Sequence, residues 1–385
     1  MIKSYKVMLL PNNKQRSKLF AISGACRFAY NWAIAKEKEN YEQGNKFINP
    51  FDLRKEFTKL KSQEEFHWLY QYSNNALKQS IKDACKAFER FFKGLSDYPQ
   101  FKKRDRSIPS FYCDTFKIEF SETHVKLEKI SNSIRKNRIK LNWIKLVEEN
   151  RIPINAKYYN PRIIFDGLHW WISVGIEEKE KKEVREYTEG IGIDMGIKDL
   201  LICSNGKTYG NINKSKRIKK IEKKKRRVQR SLSKKYLKNK EGERTKKTNN
   251  IKKLEIQLLK INRRLMNIRT NHLYLCINDI VNRKPRFINI EDLNVKGMMK
   301  NHKLAKAISE ASFYKLKKIL TYKCHAKGIE LRMIDRRYPS SKTCSNCGNI
   351  KKDLKLKDRV YICEACGISI DRDYNASINI LKYKF

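Results

Sequence analysis

Four cysteines close to the end of the printed sequence have the spacing of a metal site. They form two Cys-x-x-Cys pairs separated by fifteen residues, and they are Cys344, Cys347, Cys363 and Cys366. This spacing is typical of a four-cysteine zinc ribbon, in which four thiolates leave no coordination position open. A glycine follows each pair, at Gly348 and Gly367, where we expect a positive φ angle. The pattern predicts one structural zinc ion; redox dithiols or unrelated buried cysteines are the less favoured alternatives.

Four acidic residues stand at the ends or beginnings of three predicted elements. Asp194 and Glu291 each close a short apolar strand, and Asp371 and Asp373 begin the final predicted helix. If the two strands are neighbours, three carboxylates meet at one sheet edge and repel one another unless divalent cations bind. Two Mg²⁺ ions about 4 Å apart can activate water and stabilise the leaving oxygen of a phosphodiester. Each acid taken singly is equally consistent with an ordinary strand end or helix cap.

The composition indicates a folded protein whose usual partner is a polyanion. The 385 residues include 87 Lys+Arg and 41 Asp+Glu, a formal net charge of +46, with 40% hydrophobic residues. Such a charge repels itself unless a partner neutralises it, and nucleic acid is favoured over an anionic membrane. We find no apolar run of about 18 residues, no signal peptide and no lipidation motif. The absence of a Gly-x-x-x-x-Gly-Lys loop argues against an ATPase.

The remaining six cysteines are scattered along predicted helices and strands and indicate small buried hydrophobic residues. They are Cys26, Cys85, Cys113, Cys203, Cys276 and Cys324. This usage, without a secretion signal, favours a reducing cytoplasm, with association with the nucleoid, over a disulfide-forming compartment.

The periodicity predicts helices between strand segments, followed by alternating strands and helices. The first strand precedes Pro11, and helical patterns cover 14–43, 50–61 and 73–93. Within the last of these, Leu77, Ile81, Cys85, Phe88 and Phe92 recur every three to four residues. Strand patterns follow at 110–120, 124–130, 138–146 and 158–176, before a charged connection at 177–190. A single helix is predicted at 303–327.

Residues 211–270 carry 24 Lys/Arg and four acids. Apolar residues recur every three or four positions in both halves of this segment, which predicts two helices packed on one apolar seam and basic outside. The first half contributes Ile218, Ile221, Val228 and Leu232, and the second Ile251, Leu254, Leu258, Ile261, Leu265 and Ile268.

Five motifs resemble, in this order, those of TnpB, the insertion-sequence protein once called the OrfB transposase. They are "GIDMGIKDLLICSNG", "INIEDLNVKGM", "YPSSKTCSNCG", "RVYICEACG" and "DRDYNASINI". "CRFAYNWAIA" and "LKQSIKDACKAFERFF" extend the resemblance to the N-terminal region. The family is the presumed ancestor of the type V CRISPR effector nucleases.

The resemblance implies a mixed α/β fold with an N-terminal lobe and an RNase H-like RuvC domain that carries a zinc-ribbon insertion. The expected domains are a wedge β-barrel (1–12 and 107–182) interrupted by a helical recognition bundle (13–106), a RuvC domain (188–340, with the basic helical pair at 211–270), a zinc ribbon (341–370) and a final RuvC helix (371–385).

The implied activity is RNA-guided, Mg²⁺-dependent cleavage of double-stranded DNA by an endonuclease of a mobile element. A guide RNA from the element pairs with the target, and protein reads a short adjacent motif. Two magnesium ions, one zinc ion and the guide RNA are the expected cofactors. A monomeric ribonucleoprotein is favoured and no membrane partner is expected. The alternatives are a nuclease-inactive, RNA-guided repressor and a transposase that joins DNA strands itself.

The resemblance assigns the three catalytic metal ligands to Asp194, Glu291 and Asp373. Asp373 is chosen over Asp371 because the family aspartate precedes Asn and Ala, which leaves Asp371 as a helix cap or an assisting acid. Arg359, ahead of the second cysteine pair, matches a family arginine that contacts substrate phosphate.

Further residues are candidates for nucleic-acid contacts, each with a plainer alternative. In the basic helical pair, the candidate phosphate contacts are Arg226, Arg227, Arg263 and Arg264. The plainer alternative is that these arginines only form a solvated face of the helices. The candidates for contacts to base edges are Asn74, Asn75 and Lys78, which share one helix face. The plainer alternative is again a solvated helix face. A mixture of charge and aromatic rings, which more often belongs to a core, occurs at Arg27, Tyr30, Asn31 and Trp32.

Overall fold

The computed structural model describes residues 2–128, 143–178, 187–242, 244–355 and 358–385. The chain forms two compact units, Met1–Glu180 and Lys181–Phe385. The first part of the predicted strand at 138–146 and most of the predicted connection at 177–190 lie outside the described residues. No helix in the described ranges is both long and apolar enough to cross a membrane.

The first unit combines a sheet with a group of helices. Its elements are β1 (Ile2–Leu10), α1 (Asn13–Glu42), α2 (Pro50–Ser62), a 3-10 helix (Glu64–Gln71), α3 (Asn74–Phe92), β2 (Ser110–Tyr112), β3 (Glu119–Phe120), β4 (His124–Lys126), β5 (Ile144–Leu146), β6 (Tyr158–Phe165) and β7 (Trp170–Glu177).

The seven strands of this unit form one antiparallel sheet in the order β2-β6-β7-β1-β5-β4-β3. β1 pairs with β7 from Ile2 opposite Glu177 to Leu9 opposite Trp170. The alternation of apolar residues along both strands buries one face, as expected for a sheet that packs on one side. The first strand of the unit, β1, therefore pairs with its last strand, β7, and α1 to α3 lie between them in the sequence.

The helices begin at side-chain caps that the sequence supplies. Asn12 and Gln15 form a reciprocal capping box at the start of α1, and Ser73 caps α3. The apolar stripe predicted for α3 is buried at its first four positions, from Leu77 to Phe88, as expected. Its fifth member, Phe92, is 57% exposed, because α3 ends there beyond the helical core.

The second unit contains the alternating strands and helices. Its elements are β8 (Ile191–Met195), β9 (Asp199–Cys203), β10 (Thr208–Gly210), a 3-10 helix (Ile212–Lys214), α4 (Lys216–Lys238), β11 (Lys240–Glu241), β12 (Arg244–Thr245), α5 (Asn249–Asn282), β13 (Phe287–Glu291), α6 (Val295–Met298), α7 (His302–Ala311), α8 (Phe313–Lys327), β14 (Glu330–Ile334), β15 (Val360–Ile362), β16 (Ser369–Asp371) and α9 (Arg372–Lys382).

The main sheet of the second unit has the order β10-β9-β8-β13-β14. β10, β9 and β8 pair antiparallel, whereas β8, β13 and β14 run parallel. β8 and β13 are apolar almost throughout because both lie in the middle of the sheet. Their core also includes Leu273 and Ile277 from α5 and Leu316 and Leu320 from α8.

The predicted basic helical pair is confirmed as α4 and α5. A small separate core joins them and contains Ile218, Ile221, Val228, Ile261 and Leu265. The polar turn between the helices contains the two-stranded β11–β12 ladder. The basic side chains are therefore displayed on a helical hairpin held together by its own apolar seam.

The structure also tests the prediction of one long helix at 303–327 and the prediction that six cysteines are buried. The single helix predicted at 303–327 is divided, because Ser312 adopts a left-handed conformation with φ of 57° between α7 and α8. The prediction that the six scattered cysteines are small buried residues is confirmed, since all six are buried free thiols.

Candidate active site and metal cluster

The register of the second sheet places Asp194 and Glu291 at the same level on adjacent strands. β8 and β13 are parallel, and Ile193 lies opposite Ile290. Asp194 and Glu291 are the next residue on each strand, so their side chains leave the same face of the sheet. The hypothesis that the two acid-bearing strands are neighbours is confirmed.

Helix α9 packs closely on that same face. Gly192 and Asn289 lie opposite each other, two residues before the two acids, and therefore share their face. Nδ2 of Asn289 donates to the carbonyl oxygens of Ile380 at 3.0 Å and Leu381 at 3.2 Å. A Cβ atom on Gly192 would lie 2.2 Å from the carbonyl oxygen of Ser377, so only glycine permits this approach.

The close packing of α9 brings its first turn, with Asp373, into the electrostatic environment of the strand acids. Burial raises the pKa of Asp194 well above its usual range, and the charges of Glu291 and Asp373 raise it further against the opposing effect of Arg372. Burial also raises the pKa of Glu291, although a hydrogen bond from Ser340 opposes that shift. Three carboxylates from distant parts of the sequence thus influence ionisation at one site.

The acids are held in place by neighbours of their own. Ser340 Oγ donates to Glu291 Oε1 at 2.6 Å. Arg372 donates from Nε and Nη2 to Asp373 Oδ1 at 2.9 and 2.7 Å, and Arg359 Nη1 lies 3.8 Å from Asp373 Oδ2. Arg359 is half exposed and therefore stands between the third acid and solvent.

Asp371 serves a different purpose from Asp373. Its Oδ1 accepts hydrogen bonds from the backbone N–H groups of Asp373 and Tyr374, both at 3.0 Å. These bonds satisfy amides that the first turn of α9 leaves free. The interpretation of Asp371 as a helix cap is confirmed.

The donor chemistry of the acid site suits a hard divalent cation. Carboxylate oxygens are the side-chain ligands that Mg²⁺ prefers, and a cation would offset the repulsion that raises the pKa of Asp194. Among the described residues, the four cysteines are the one group whose ligand atoms all lie within 4.8 Å of one another. The three carboxylates do not form such a group, and Glu291 and Asp373 are held by separate partners.

The four cysteines converge with the geometry of a tetrahedral thiolate site. Sγ of Cys344 lies 3.6 Å from Sγ of Cys366, and Sγ of Cys347 lies 3.6 Å from Sγ of Cys363. Zn–S bonds of about 2.3 Å place sulfur atoms about 3.8 Å apart, so the cluster fits zinc. Backbone N–H groups of Cys366 and Ala365 help to lower the pKa of the Cys363 thiol to about 6, so Cys363 is the readiest thiolate, whereas hydrogen bonds with the other thiols raise the pKa of Cys347.

The two cysteine turns have the same backbone construction. The N–H of Gly348 donates to the carbonyl oxygen of Cys344 at 3.0 Å, and Gly367 donates to Cys363 at 2.9 Å. The φ angles of the two glycines are +78° and +71°. The prediction of positive φ at both positions is confirmed, and each turn presents its sulfur atoms in the same way.

Two asparagines of α9 connect the acid site to the first cysteine turn. Asn375 donates to the carbonyl oxygen of Thr343 at 2.7 Å and accepts from the N–H of Ser345 at 2.9 Å. Asn379 donates to the carbonyl oxygens of Ser340 at 2.8 Å and Thr343 at 2.6 Å. Both asparagines are almost fully buried. α9 therefore packs on the sheet and is hydrogen-bonded to the segment that leads into the cysteine cluster.

The arginines selected on the helical hairpin differ in exposure. Arg226, Arg227 and Arg264 are exposed, whereas Arg263 is partly buried, which lowers the pKa of its guanidinium group. Arg269, at the base of the same hairpin, instead forms ion pairs within the unit. The exposed arginines are available to an external partner.

In the first unit, the selected residues of α1 surround a lysine. Lys102 Nζ lies 3.7 Å from the centre of the Tyr30 ring, and Asn31 exchanges hydrogen bonds of 3.0 and 2.8 Å with the Lys102 backbone. Tyr30 is 8% exposed and belongs to the core, as the plainer alternative holds. Arg27 is partly exposed and lines a small polar depression with Lys102 and Arg162.

The residues selected at the start of α3 are also partly engaged within the unit. Asn75 donates through Nδ2 to Asp114 Oδ2, and Asn74 Oδ1 accepts from Lys61 Nζ at 3.2 Å. Asn74 is exposed and Lys78 is partly exposed. Asn74 and Lys78 are thus better placed to contact a partner than Asn75, whose side-chain amide is bound to Asp114.

Sequence reasoning missed the residues that position the acids. They are Gly192, Ser340, Arg372, Asn375 and Asn379. The available signals were a glycine inside an apolar strand and asparagines inside a short helix, both of which indicate close backbone contacts.

Three family models match separate stretches of the chain. A model described as "Probable transposase" (OrfB_IS605) matches residues 172–302, a "Cas12f1-like, TNB domain" matches 313–380, and a "Helix-turn-helix domain" (HTH_OrfB_IS605) matches 1–46. Together these stretches cover more than half of the sequence. Within the stretch matched by the helix-turn-helix model, residues 1–46, the structure has β1 followed by the single helix α1.

The chain is similar over nearly its whole length to curated proteins. It is 26% identical to "Putative RNA-guided DNA endonuclease InsQ" of Escherichia coli (strain K12), covering 99% of this chain and 92% of that protein. It is 28% identical to a "Putative RNA-guided DNA endonuclease" of Streptomyces pristinaespiralis, covering 98% and 88%. Over 219 residues it is 34% identical to "TnpB-like protein L79" of Acanthamoeba polyphaga mimivirus, covering 52% of this chain and 38% of that protein.

The fold is shared with a solved structure. The chain in "Cryo-EM structure of the Cas12f1-sgRNA-target DNA complex" aligns with a TM-score of 0.56 at 14% identity, covering 99% of this chain and 98% of that one. The arrangement of mixed helices and sheets described above is therefore that of a known fold.

Proposed function

Because the chain belongs to the TnpB (OrfB) family of insertion-sequence proteins, we propose that it is an RNA-guided endonuclease that cuts double-stranded DNA. The observation that carries the proposal is the convergence of Asp194, Glu291 and Asp373 on one face of the second sheet. The names of its relatives and the nucleic acids bound by its structural neighbour agree with this function.

The proposed domains follow the observed elements. We assign a RuvC-type, RNase H-like domain to 188–340 together with 371–385, and a zinc ribbon to 341–370. The antiparallel β10-β9-β8 group extended by parallel β13 and β14 supports the first assignment. In the first unit we assign a wedge domain to 1–12 and 107–182 and a recognition bundle to 13–106, since the sheet and the helices come from those segments.

In the proposed reaction the three carboxylates hold divalent cations beside the scissile phosphate. Mg²⁺ bound there would activate the attacking water and stabilise the leaving oxygen of the phosphodiester. Asp194 and Glu291 contribute from a rigid sheet, and α9 contributes Asp373. Arg372 and Ser340 fix the orientation of the carboxylates, and exposed Arg359 is placed to contact a phosphate of the DNA.

The guide RNA is proposed to bind along the basic helical hairpin. Residues 211–270 carry 24 Lys/Arg, and exposed residues such as Arg226, Arg227 and Arg264 neutralise phosphates with release of counterions. Arg27, Asn74 and Lys78 of the first unit are proposed contacts to nucleic acid, with Asn74 and Lys78 near the target-adjacent motif. We propose a monomeric ribonucleoprotein that acts on DNA in the cytoplasm.

The experiment begins with the RNA that copurifies when the protein is expressed beside its native downstream DNA. We expect one discrete RNA species, which supplies the target sequence for a plasmid cleavage assay in magnesium buffer. Asp194→Asn should reduce cleavage by at least about a thousandfold, because it removes a carboxylate from the metal site. Retained cleavage by Asp194→Asn would contradict the assignment of the active site.

The matched control is Asp353→Asn, which changes an exposed acid of the same unit and should cleave like the unmodified protein. RNA binding should be unchanged in both variants. A discrete copurifying RNA with no cleavage by the unmodified protein would instead identify an RNA-guided binding protein. A heterogeneous mixture of cellular RNA would contradict guidance altogether.

A further inference from the structure

A cavity of about 190 Å³ lies in the first unit, far along the sequence from the candidate active site. It is formed where the C-terminal parts of α1 and α3 meet the segments that follow them. Its lining includes Glu37, Asn40, Phe47, Phe88, Phe92 and Tyr98. Neither the family resemblance nor the proposed cleavage reaction assigns a role to it.

Aromatic rings make up most of the cavity wall. The Phe47 ring stands edge-on to the Phe92 ring with centroids 6.0 Å apart, and Phe88 stands edge-on to Tyr98 at 5.6 Å. Phe92 is 57% exposed although it continues the buried stripe of α3. The stripe therefore ends in an open aromatic surface at the cavity, where Phe92 stands beside Phe47.

A buried carboxyl group lies among these rings. Glu37 is 3% exposed, and its Oε2 accepts a hydrogen bond of 3.3 Å from the backbone N–H of Ile48. Its buried Oε1 has no hydrogen-bond partner within the described residues. A buried acceptor without a donor destabilises the folded state, because its lost hydrogen bond to water is not replaced. Burial also raises the pKa of the Glu37 carboxyl to about 7, so the site gains from a ligand that brings N–H donors.

Two kinds of ligand match aromatic rings beside a carboxyl group. An organic cation is one, but the net charge of +46 repels cations from this protein. Exposed Lys46 and Lys93 directly adjoin the lining residues Phe47 and Phe92 in the chain, which favours a ligand that carries phosphate. An unstacked nucleobase meets all these conditions, because its ring stacks on aromatic side chains while its edge forms hydrogen bonds.

Guanine is the base that best complements Glu37. Its Watson–Crick edge presents two neighbouring N–H donors, which a single carboxylate can accept together. We propose that this cavity binds one unstacked guanine of the nucleic acid held by the protein. The inference rests on the proposed function only because that function supplies the nucleic acid. The base comes either from RNA or from DNA, and the two arms of the experiment separate these sources.

The experiment measures dissociation constants of the full-length protein, freed of bound nucleic acid, for short labelled oligonucleotides at one fixed salt concentration. The DNA arm compares oligothymidine with the same oligomer carrying one central guanine, and the RNA arm compares the corresponding oligouridines. We expect the guanine to tighten binding by about tenfold in at least one arm, because guanine offers Glu37 a second neighbouring N–H donor that thymine and uracil lack. One central adenine should give a smaller gain, because adenine lacks the paired donors.

Two variants and one matched control locate the effect. Phe92→Ala removes an exposed ring of the cavity, and Glu37→Gln removes the carboxylate with little change in volume. Both should abolish the guanine gain and leave the affinity for the plain oligomer unchanged. Phe116→Ala removes a ring that is 96% exposed and lies outside the lining, so it should retain the gain. Circular dichroism verifies that each variant is folded.

The outcomes separate this inference from the proposed function. Normal oligomer binding without a guanine gain, or a gain that survives both Phe92→Ala and Glu37→Gln, overturns the guanine pocket even if the protein cleaves DNA. A guanine gain that both variants abolish supports the pocket even if no guided cleavage is found. Failure to bind any oligonucleotide overturns the pocket and the proposed function together.

Discussion

The four-cysteine cluster and the three-carboxylate site lie in the same unit but are assembled from very different lengths of chain. The cysteines occur within 23 residues, on two turns of identical hydrogen bonding, and their sulfur atoms lie within 4.8 Å of one another. The acids lie on β8, on β13 and at the start of α9. Their carboxylates are more widely spaced and are held by residues such as Ser340 and Arg372.

Under the proposed function, the difference separates a site that would hold a metal for stability from one that would use it for chemistry. Four converging thiolates complete a tetrahedron and leave nothing for a substrate. Three carboxylates on a sheet and a helix leave coordination positions to water and phosphate oxygens. The two sites are connected through Asn375 and Asn379 of α9, so the comparison can be tested by disturbing one site and measuring the other.

Among changes made outside the three acids, the largest expected effect comes from opening the cysteine cluster. Cys363→Ser should abolish stoichiometric zinc binding and lower DNA cleavage by at least about a hundredfold, because displacement of a catalytic group by about 1 Å costs that factor. The measurements are metal content by mass spectrometry and the plasmid cleavage rate. Cys324→Ser, a buried cysteine outside the cluster, is the control and should retain its zinc. Full cleavage by zinc-free Cys363→Ser would show that the two sites are independent.

The next effect separates the sheet contact of α9 from its contact with the cysteine turn. Gly192→Ala inserts a Cβ atom 2.2 Å from a backbone oxygen of α9, so the helix must move. We expect a loss of about 2–3 kcal/mol in unfolding free energy and a cleavage rate lowered by about a hundredfold. The zinc content should be unchanged. Gly210→Ala is the control, because a Cβ atom there meets open space; equal behaviour of the two variants would contradict the close approach.

A smaller effect is expected from the hydrogen bonds between α9 and the cysteine turn. Asn379→Ala leaves the carbonyl oxygens of Ser340 and Thr343 without this donor. The expected loss is about 1–3 kcal/mol in unfolding free energy, measured by urea denaturation, with cleavage lowered and zinc retained. Asn262→Ala, an exposed position on α5, should be nearly neutral. A neutral Asn379→Ala would mean that the sheet alone positions α9.

The smallest effect contrasts Asp194 with the buried Glu37. Burial is the largest cause of the raised pKa at both residues; at Asp194 the charges of Glu291 and Asp373 add to it, and at Glu37 the pKa is raised to about 7. Since the unfolded carboxyl ionises near pH 4.5, the folded state loses stability as the pH rises from there to about 7. Replacing Glu37 by Gln removes this dependence, so its stability relative to the unmodified protein should improve by about 1–2 kcal/mol between pH 5 and 8. A constant difference across that range would contradict the raised pKa.

The cysteine cluster could be predicted from the sequence almost completely, because spacing within one short segment determines its geometry. Even the positive φ angles at Gly348 and Gly367 followed from the turn chemistry. The pairing of Asp194 with Glu291 required the further assumption that two apolar strands are neighbours, which the register confirms. Asp371 could be separated from Asp373 only through the family resemblance, in which the metal-binding aspartate precedes Asn and Ala; the structure shows Asp371 as the cap of α9.

The supporting residues could not be predicted in the same way. Ser340 and Arg372 acquire their roles from contacts that depend on how α9 and the preceding segment pack, and no local pattern encodes these contacts. The break at Ser312 was missed because the apolar pattern continues through it. Tyr30 was a candidate nucleic-acid contact with a core alternative, and the structure agrees with the alternative, since the ring is buried beside Lys102.

The chain order of the three acids has a consequence during protein synthesis. β8 and β13 leave the ribosome well before α9, so a nascent chain carries Asp194 and Glu291 without the third carboxylate. The cysteine turns are also translated before α9, and Asn375 and Asn379 can join them only afterwards. On the proposed assignment, a chain interrupted anywhere before α9 lacks the third carboxylate of the active site. We therefore expect incomplete translation products to leave the DNA of the cell uncut.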